Sequence, residues 1–179
     1  MSQKQQQQHS AAIGGNEKEA IELLTRDHYR VIDLFEKFER LRIEENDGND
    51  KLDLAQQICT ELTIHAKLEE EIFYPAAIEE IGQLEVMDEA AVEHAAAREM
   101  VEQLAAMAPE DEYFDIKVKV LQDMVEQHIA EQEEKIFPRL RKTTMDLAAL
   151  GERMRRRRQE LRFIWIWACW APRWTRVER

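Results

Sequence analysis

Apolar residues recur at three- and four-residue steps over four long stretches of this chain, the spacing that lines one face of a helix. The first stretch runs from about Glu17 to Ile43 and carries Ile21, Leu24, His28, Val31, Phe35 and Phe38 on its stripe. A turn-forming cluster, Asn46 to Asp50, leads into a second stretch with Leu54, Ile58, Leu62, His65, Glu69 and Ile72. Proline removes a backbone donor and disfavours helix in the residue before it, so Pro75 is expected to end this helix near Tyr74. The third stretch spans about Leu84 to Met107, with Met87, Ala91, His94, Ala97, Val101 and Leu104. Pro109 and Asp111 mark the next connection. The fourth runs from about Glu112 to Phe137, with Val118, Leu121, Val125, His128, Gln132 and Ile136, and Pro138 repeats the role of Pro75. Short connections make successive helices antiparallel neighbours, so the pattern predicts an all-α fold, an antiparallel up-down four-helix bundle.

The polar residues on these stripes change the picture. Of five histidines, four fall one per predicted helix on the apolar face: His28, His65, His94 and His128. Two of them open a near-duplicate phrase, because His65 to Pro75 matches His128 to Pro138 at an offset of 63. His28 and His94 are separated by a similar 66, which suggests two related hairpins and places all four imidazoles at a common depth. Glu69 follows His65 by four residues and shares its stripe. An ionised carboxylate buried there costs several kcal/mol unless it is paired or bound to a cation. The neighbouring core positions are apolar and offer it nothing. A metal site at the centre of the bundle follows. The mixed histidine and carboxylate set suits iron, manganese or zinc better than copper.

The order His28, His65, Glu69, His94 and His128, with a Phe-Pro or Phe-x-Pro close to two of the helices, resembles the hemerythrin family and in particular the bacterial hemerythrin-like HHE cation-binding domains. The resemblance covers roughly residues 20–161, including the phrase from Leu150 to Met154. It implies two non-haem irons bridged by carboxylates, with zinc or manganese as alternatives, the four histidines as terminal ligands and Glu69 as one bridge. Two positions depart from the family pattern. Gln132 stands four residues after His128, where the bacterial phrase carries Glu, and its amide oxygen is a neutral, weaker ligand. Glu133 is the favoured substitute, since oxygen carriers of the family place their second bridging acid five residues after the histidine. It would need a local distortion, because five residues of ideal helix turn it well away from His128. Glu131 is the weaker substitute. Arg98 stands where the oxygen carriers have a fifth histidine and is read as a solvated side chain.

Composition bounds the rest. A chain of 179 residues with 5 Gly and 4 Pro suits one helical domain with a sizeable core. The net charge is −12, yet residues 151–179 hold nine arginines and three glutamates, so the first 150 residues carry −18. That acidic body argues against a nucleic-acid surface. Residues 1–16, which include His9, read as a disordered leader, residues 17–161 as the bundle and residues 162–179 as a Trp- and Arg-rich tail of uncertain structure. The tail's apolar run, Phe163 to Trp170, is far too short to span a bilayer, although contact with a lipid surface is conceivable for it. Two cysteines and no apolar signal segment give a cytoplasmic setting as the expectation. Tyr29, Tyr74 and Cys59 are read as packing residues, and the alanines Ala90, Ala91, Ala95, Ala96 and Ala97 around His94 either as close packing or as room for a small ligand. The resulting expectation is a di-iron protein that binds or senses dioxygen, nitric oxide or peroxide, or holds iron. The alternatives are a di-iron enzyme acting in ferrous oxidation, peroxide turnover or iron–sulfur repair, and a structural bundle with a degenerate site.

Overall fold

The computed structural model describes residues 19–43 and 48–170, with side chains to Phe163 apart from Gly48. The leader, Asn46 and Asp47 of the turn cluster, and the end of the tail including Trp174 lie outside the described residues. Helix α1 spans Ala20–Ile43 and α2 spans Gly48–Leu68. A π turn, Glu69–Phe73, joins α2 to α3, Tyr74–Ile81. Helix α4 covers Glu85–Ala105 and α5 covers Phe114–Glu131. A second π turn, Gln132–Ile136, leads into the short α6, Phe137–Leu140, and α7 follows at Leu147–Trp170. No strand occurs among the described residues.

Two apolar clusters define the bundle. The first joins Leu24 near the start of α1 to Leu68 at the end of α2, Ala90 near the start of α4 and Ile136 after α5. The second joins Phe38 near the end of α1 to Ala55 of α2, Leu104 at the end of α4 and Phe114 at the start of α5. Beginnings therefore meet ends, and the four long helices alternate in direction. Phe35, Phe73, Phe114 and Phe137 are fully enclosed, and each contributes about 1.5–3 kcal/mol of transfer free energy. Between the two clusters lies a layer of buried polar groups that includes all four stripe histidines, Glu69 and Gln132.

Pro75 and Pro138 do not end their helices. In each duplicated phrase the backbone widens by one residue just before the proline. Tyr74 N–H donates to the carbonyl of Glu69, and Phe137 N–H to that of Gln132. Each proline then sits in the first turn of the next helical segment, where its missing N–H is tolerated. Helix continues to Ile81, where Gly82, at φ +76° and ψ 169°, takes a backbone conformation essentially open only to glycine and donates its N–H to the Ile78 carbonyl. The wide turns also bring Ile72 and Phe73, and likewise Ile136 and Phe137, into the core as adjacent pairs.

The fifth long helix, α7, extends the four-helix expectation. It packs on α1, α2 and the first π turn, and Leu150, Met154 and Leu161 enter the first apolar cluster. Its arginines reach acids on the bundle: Arg157 pairs with Glu71, Arg158 with Asp27 and Arg162 with Glu61. No helix among the described residues is long and apolar enough to cross a membrane.

Candidate metal centre

The four histidines are 2–9% exposed and form two ring pairs, His28 with His65 at 5.0 Å and His94 with His128 at 4.8 Å. Glu69, fully buried, lies between the pairs. Its Oε2 is approached by Nε2 of His65 at 3.4 Å, of His94 at 3.2 Å and of His128 at 3.5 Å. Two ligand triads result, His28–His65–Glu69 and Glu69–His94–His128, each with donor atoms within 4.8 Å of one another. Two donors on one cation at ~2.2 Å can stand about 4.4 Å apart, so small side-chain movements close each triad around an ion. The two triads share the Glu69 carboxylate.

Every imidazole has its other nitrogen held from outside. Nδ1 of His28 meets Glu133 at 2.8 Å, Nδ1 of His65 meets Asp27 at 3.4 Å, Nδ1 of His94 meets Glu70 at 3.0 Å and Nδ1 of His128 meets Glu93 at 2.9 Å. An ionised carboxylate only accepts, so Nδ1 carries a proton and Nε2 is the nitrogen turned inward, its lone pair available to a cation once any second proton leaves. The arrangement repeats with the sequence. Asp27 and Glu93 each precede a histidine and hold the histidine of the adjacent helix. Glu70 and Glu133, 63 residues apart, are each the second residue of a wide turn and hold the histidine of the other hairpin.

This places Glu133 differently from the expectation. It lies on the outer side of His28, its side chain 36% exposed, rather than opposite Glu69. Gln132, 1% exposed, takes the inner position, donating from Nε2 to Glu69 Oε1 and to Tyr74 Oη at 3.0 Å. The wide turn begins at Gln132, so the inward position is the one four residues after His128, and Gln132 is the two-fold counterpart of Glu69. Glu131 pairs with Lys135 at 3.0 Å, away from the layer. Asp27, Glu70 and Glu93 are participants that the stripes alone do not reveal. Carrying the 63- and 66-residue offsets on to the neighbouring acids finds them.

The chemistry of the donor set fits cations. Four buried atoms in this layer have no hydrogen-bond partner: His28 Nε2, Glu69 Oε2, His128 Nε2 and Gln132 Oε1. Each such group costs roughly 1–3 kcal/mol, and native cores keep few of them without cause. Burial disfavours the charged form of Glu69, but attraction from His65 and the approach of His128 and His94 outweigh it and hold its carboxyl well below the usual range. Burial likewise opposes charging of His65, yet Glu69 and Asp27 push it up to about 10. His128, facing Glu69 and Glu93, is pushed up to about 9 against the same burial. His28 goes down, because burial outweighs Glu133. Without cations, protons on His65 and His128 balance the carboxylates.

The hemerythrin HHE cation-binding domain model matches residues 19–140, which include every ligand candidate. The chain belongs to that family. A solved hemerythrin HHE cation-binding domain-containing protein from Mycobacterium kansasii superposes with a TM-score of 0.67 over 83% of this chain and 90% of its own, at 22% identity, a likeness of fold. A DNA nickase of a Nostoc species is 28% identical over 135 residues. That match takes in 74% of this chain, and the chain spans 37% of the nickase's length.

Around the centre, Tyr74 is buried, its ring 6.1 Å from His94, with burial and Glu69 pushing its hydroxyl up. Tyr29 is half-buried. Cys59 packs beside the second apolar cluster, and burial pushes its thiol up to about 11, so it acts as a small hydrophobe. Arg98 is half-exposed and pairs with Glu70, reaching His94 only through that carboxylate. Arg158 does the same for His65 through Asp27, from a far less exposed position. Of the alanines near His94, Ala91, Ala95 and Ala96 face solvent and Ala90 is in the core. Ala97 lines a cavity beside the histidines.

Proposed function

We propose that this domain holds two non-haem irons and binds or senses dioxygen or a related small oxidant such as nitric oxide or peroxide. The observation that carries the reading is the pair of histidine triads meeting at one buried carboxylate. His28 and His65 would hold one ion, His94 and His128 the other, with Glu69 bridging and Gln132 Oε1 available as a neutral donor where the family's second acid stands. Iron there supplies reversible electron transfer and an open coordination position for a small ligand. The protein residues set the terms. Five carboxylates surround four imidazoles: Asp27, Glu70, Glu93 and Glu133 fix the ring orientations, while an apolar cluster packs on either side of the layer. With one carboxylate at its centre instead of two, the site carries one more positive charge than a fully acidic family member, which favours the ferrous pair and uptake of an anionic ligand. Iron is preferred to zinc because an open, mixed N/O dinuclear set inside a helix bundle suits its chemistry. The net −18 on the first 150 residues supports a small-molecule ligand over nucleic acid.

The test is spectroscopic. Full-length protein reconstituted anaerobically with ferrous iron should change its visible absorption on exposure to dioxygen, nitric oxide or peroxide, with an amplitude saturating at two irons per chain. An iron-loaded protein silent to all three would refute the sensing reading. Steady consumption of peroxide or ferrous iron would replace it with an enzymatic one.

A further inference from the structure

One turn beyond the histidines, toward the second apolar cluster, the bundle does not close. A cavity of about 230 Å³ lies there, lined by all four histidines at one end and walled by Val31, Leu62, Ala97, Val101, Val125 and Ile129. Neither Glu69 nor Gln132 touches it. The lining extends to the exposed Lys67, Glu70 and Arg98, so the space communicates with solvent between α2 and α4.

The internal repeat explains why the space exists. Val31 and Ala97 are related by the same 66-residue offset as His28 and His94, and Leu62 and Val125 by the same 63 as His65 and His128. At both positions the second hairpin carries the smaller side chain, Ala for Val and Val for Leu. Cores are otherwise packed to crystal density, and an uncompensated void destabilises them. The truncation in one hairpin, beside the polar layer, leaves room that the other hairpin fills.

The size is wrong for a diatomic alone. An apolar cavity of about 150 Å³ is known to take benzene, and this one is larger. We propose that this cavity is a binding site for a compact apolar organic molecule, of single-ring size and with at most one polar group turned toward the histidines, held beside the metal centre. The walls are aliphatic and supply contact area without hydrogen bonds. A lone hydroxyl or carbonyl finds polar partners at the histidine end, where Asp27 and Glu93 also join the lining. Met124, also in the lining, is an unbranched side chain that adapts to the occupant's outline. The inference uses the proposed function only to place the cations, since the walls stand without them.

Benzene and phenol are the probes, titrated into the full-length protein with thermal melting and side-chain methyl NMR as readouts and bound metal measured on the same samples. The double variant Ala97→Val/Val125→Leu copies the first hairpin's residues into the second, so it adds only side chains this bundle already packs. Ala97→Phe fills the space outright. The expected result is saturable binding by the wild type, with methyl shifts confined to the walls, weakened at least tenfold in either variant while metal per chain is unchanged. Absence of saturable binding of both probes by the wild type, or equal affinity in the filled variants, overturns the proposal. Probe binding without metal would leave the cavity intact and remove the di-iron reading. Two metals without probe binding would do the reverse.

Discussion

Replacing Gln132 with Glu perturbs the centre at the point where it departs from its own two-fold symmetry. The change is isosteric, so packing is preserved and electrostatics decide the outcome. In the metal-free protein the Gln132 amide donates to Glu69 and to Tyr74 at 3.0 Å. A carboxylate cannot donate, and it would bring a second negative charge against Glu69 in a layer where both residues are at most 1% exposed. Two unit charges ~4 Å apart at an effective dielectric constant of about 20 repel by ~4 kcal/mol. The pair escapes most of this by sharing a proton. Loss of the amide hydrogen bonds and the cost of that protonation leave about 2 kcal/mol of destabilisation. For a chain of this size that lowers the melting temperature by roughly 4–8 °C. With cations present the sign reverses, because the new carboxylate completes a second bridge. Affinity for the second cation should rise at least tenfold, which corresponds to ~1.4 kcal/mol. The assay is scanning calorimetry of wild type and variant, each with chelator and with ferrous iron added anaerobically. Crossed effects are predicted: a lower melting temperature in chelator and a larger metal-induced increase. Parallel shifts, or none, would refute the assignment of Gln132 to the inner face between the cations.

Three further outcomes follow from the same geometry. Glu69→Ala removes the one carboxylate common to both triads, so bound metal should fall to less than half of wild type by elemental analysis, with helical circular dichroism retained. Arg158→Ala frees Asp27 from α7 and loosens the hold on His65 Nδ1. It should weaken one of two metal-binding steps by roughly 10–100-fold and spare the other, the range typical of partners that orient a ligand. In the metal-free protein His65 and His128 hold protons up to about 10 and about 9. Cations at Nε2 must displace them, so loading near pH 7.5 should release protons to an indicator dye, and the release should decline as pH is raised through 9–10.

The long helices and the histidine layer were legible in the sequence because helical periodicity and buried polar groups are properties of local spacing. Glu69 was legible for the same reason, four residues from His65 on one stripe. The misplacement of Glu133 has a local cause. An ideal helix leaves it well away from His128, and the wide turn that forms over Gln132–Ile136 keeps the inward direction on Gln132 while sending Glu133 to the Nδ1 of His28. The helices run through Pro75 and Pro138 because the widened turn precedes each proline, which periodicity alone does not encode. The carboxylates behind the rings were hidden because they lie beside the stripe rather than on it. Asp27 and Glu93 become visible only when the internal repeat is extended by one residue. On the fifth helix Arg157, Arg158 and Arg162 pair with Glu71, Asp27 and Glu61, partners that a charge count along the chain does not reveal.

Metal stoichiometry tests the central claim most directly. Full-length protein, stripped by chelator and titrated anaerobically with ferrous iron, should bind two ions per chain in saturable steps, with both steps lost or severely weakened in Glu69→Ala. Binding of a single ion, or of two ions indifferent to the loss of Glu69, would contradict a dinuclear centre built on the shared carboxylate.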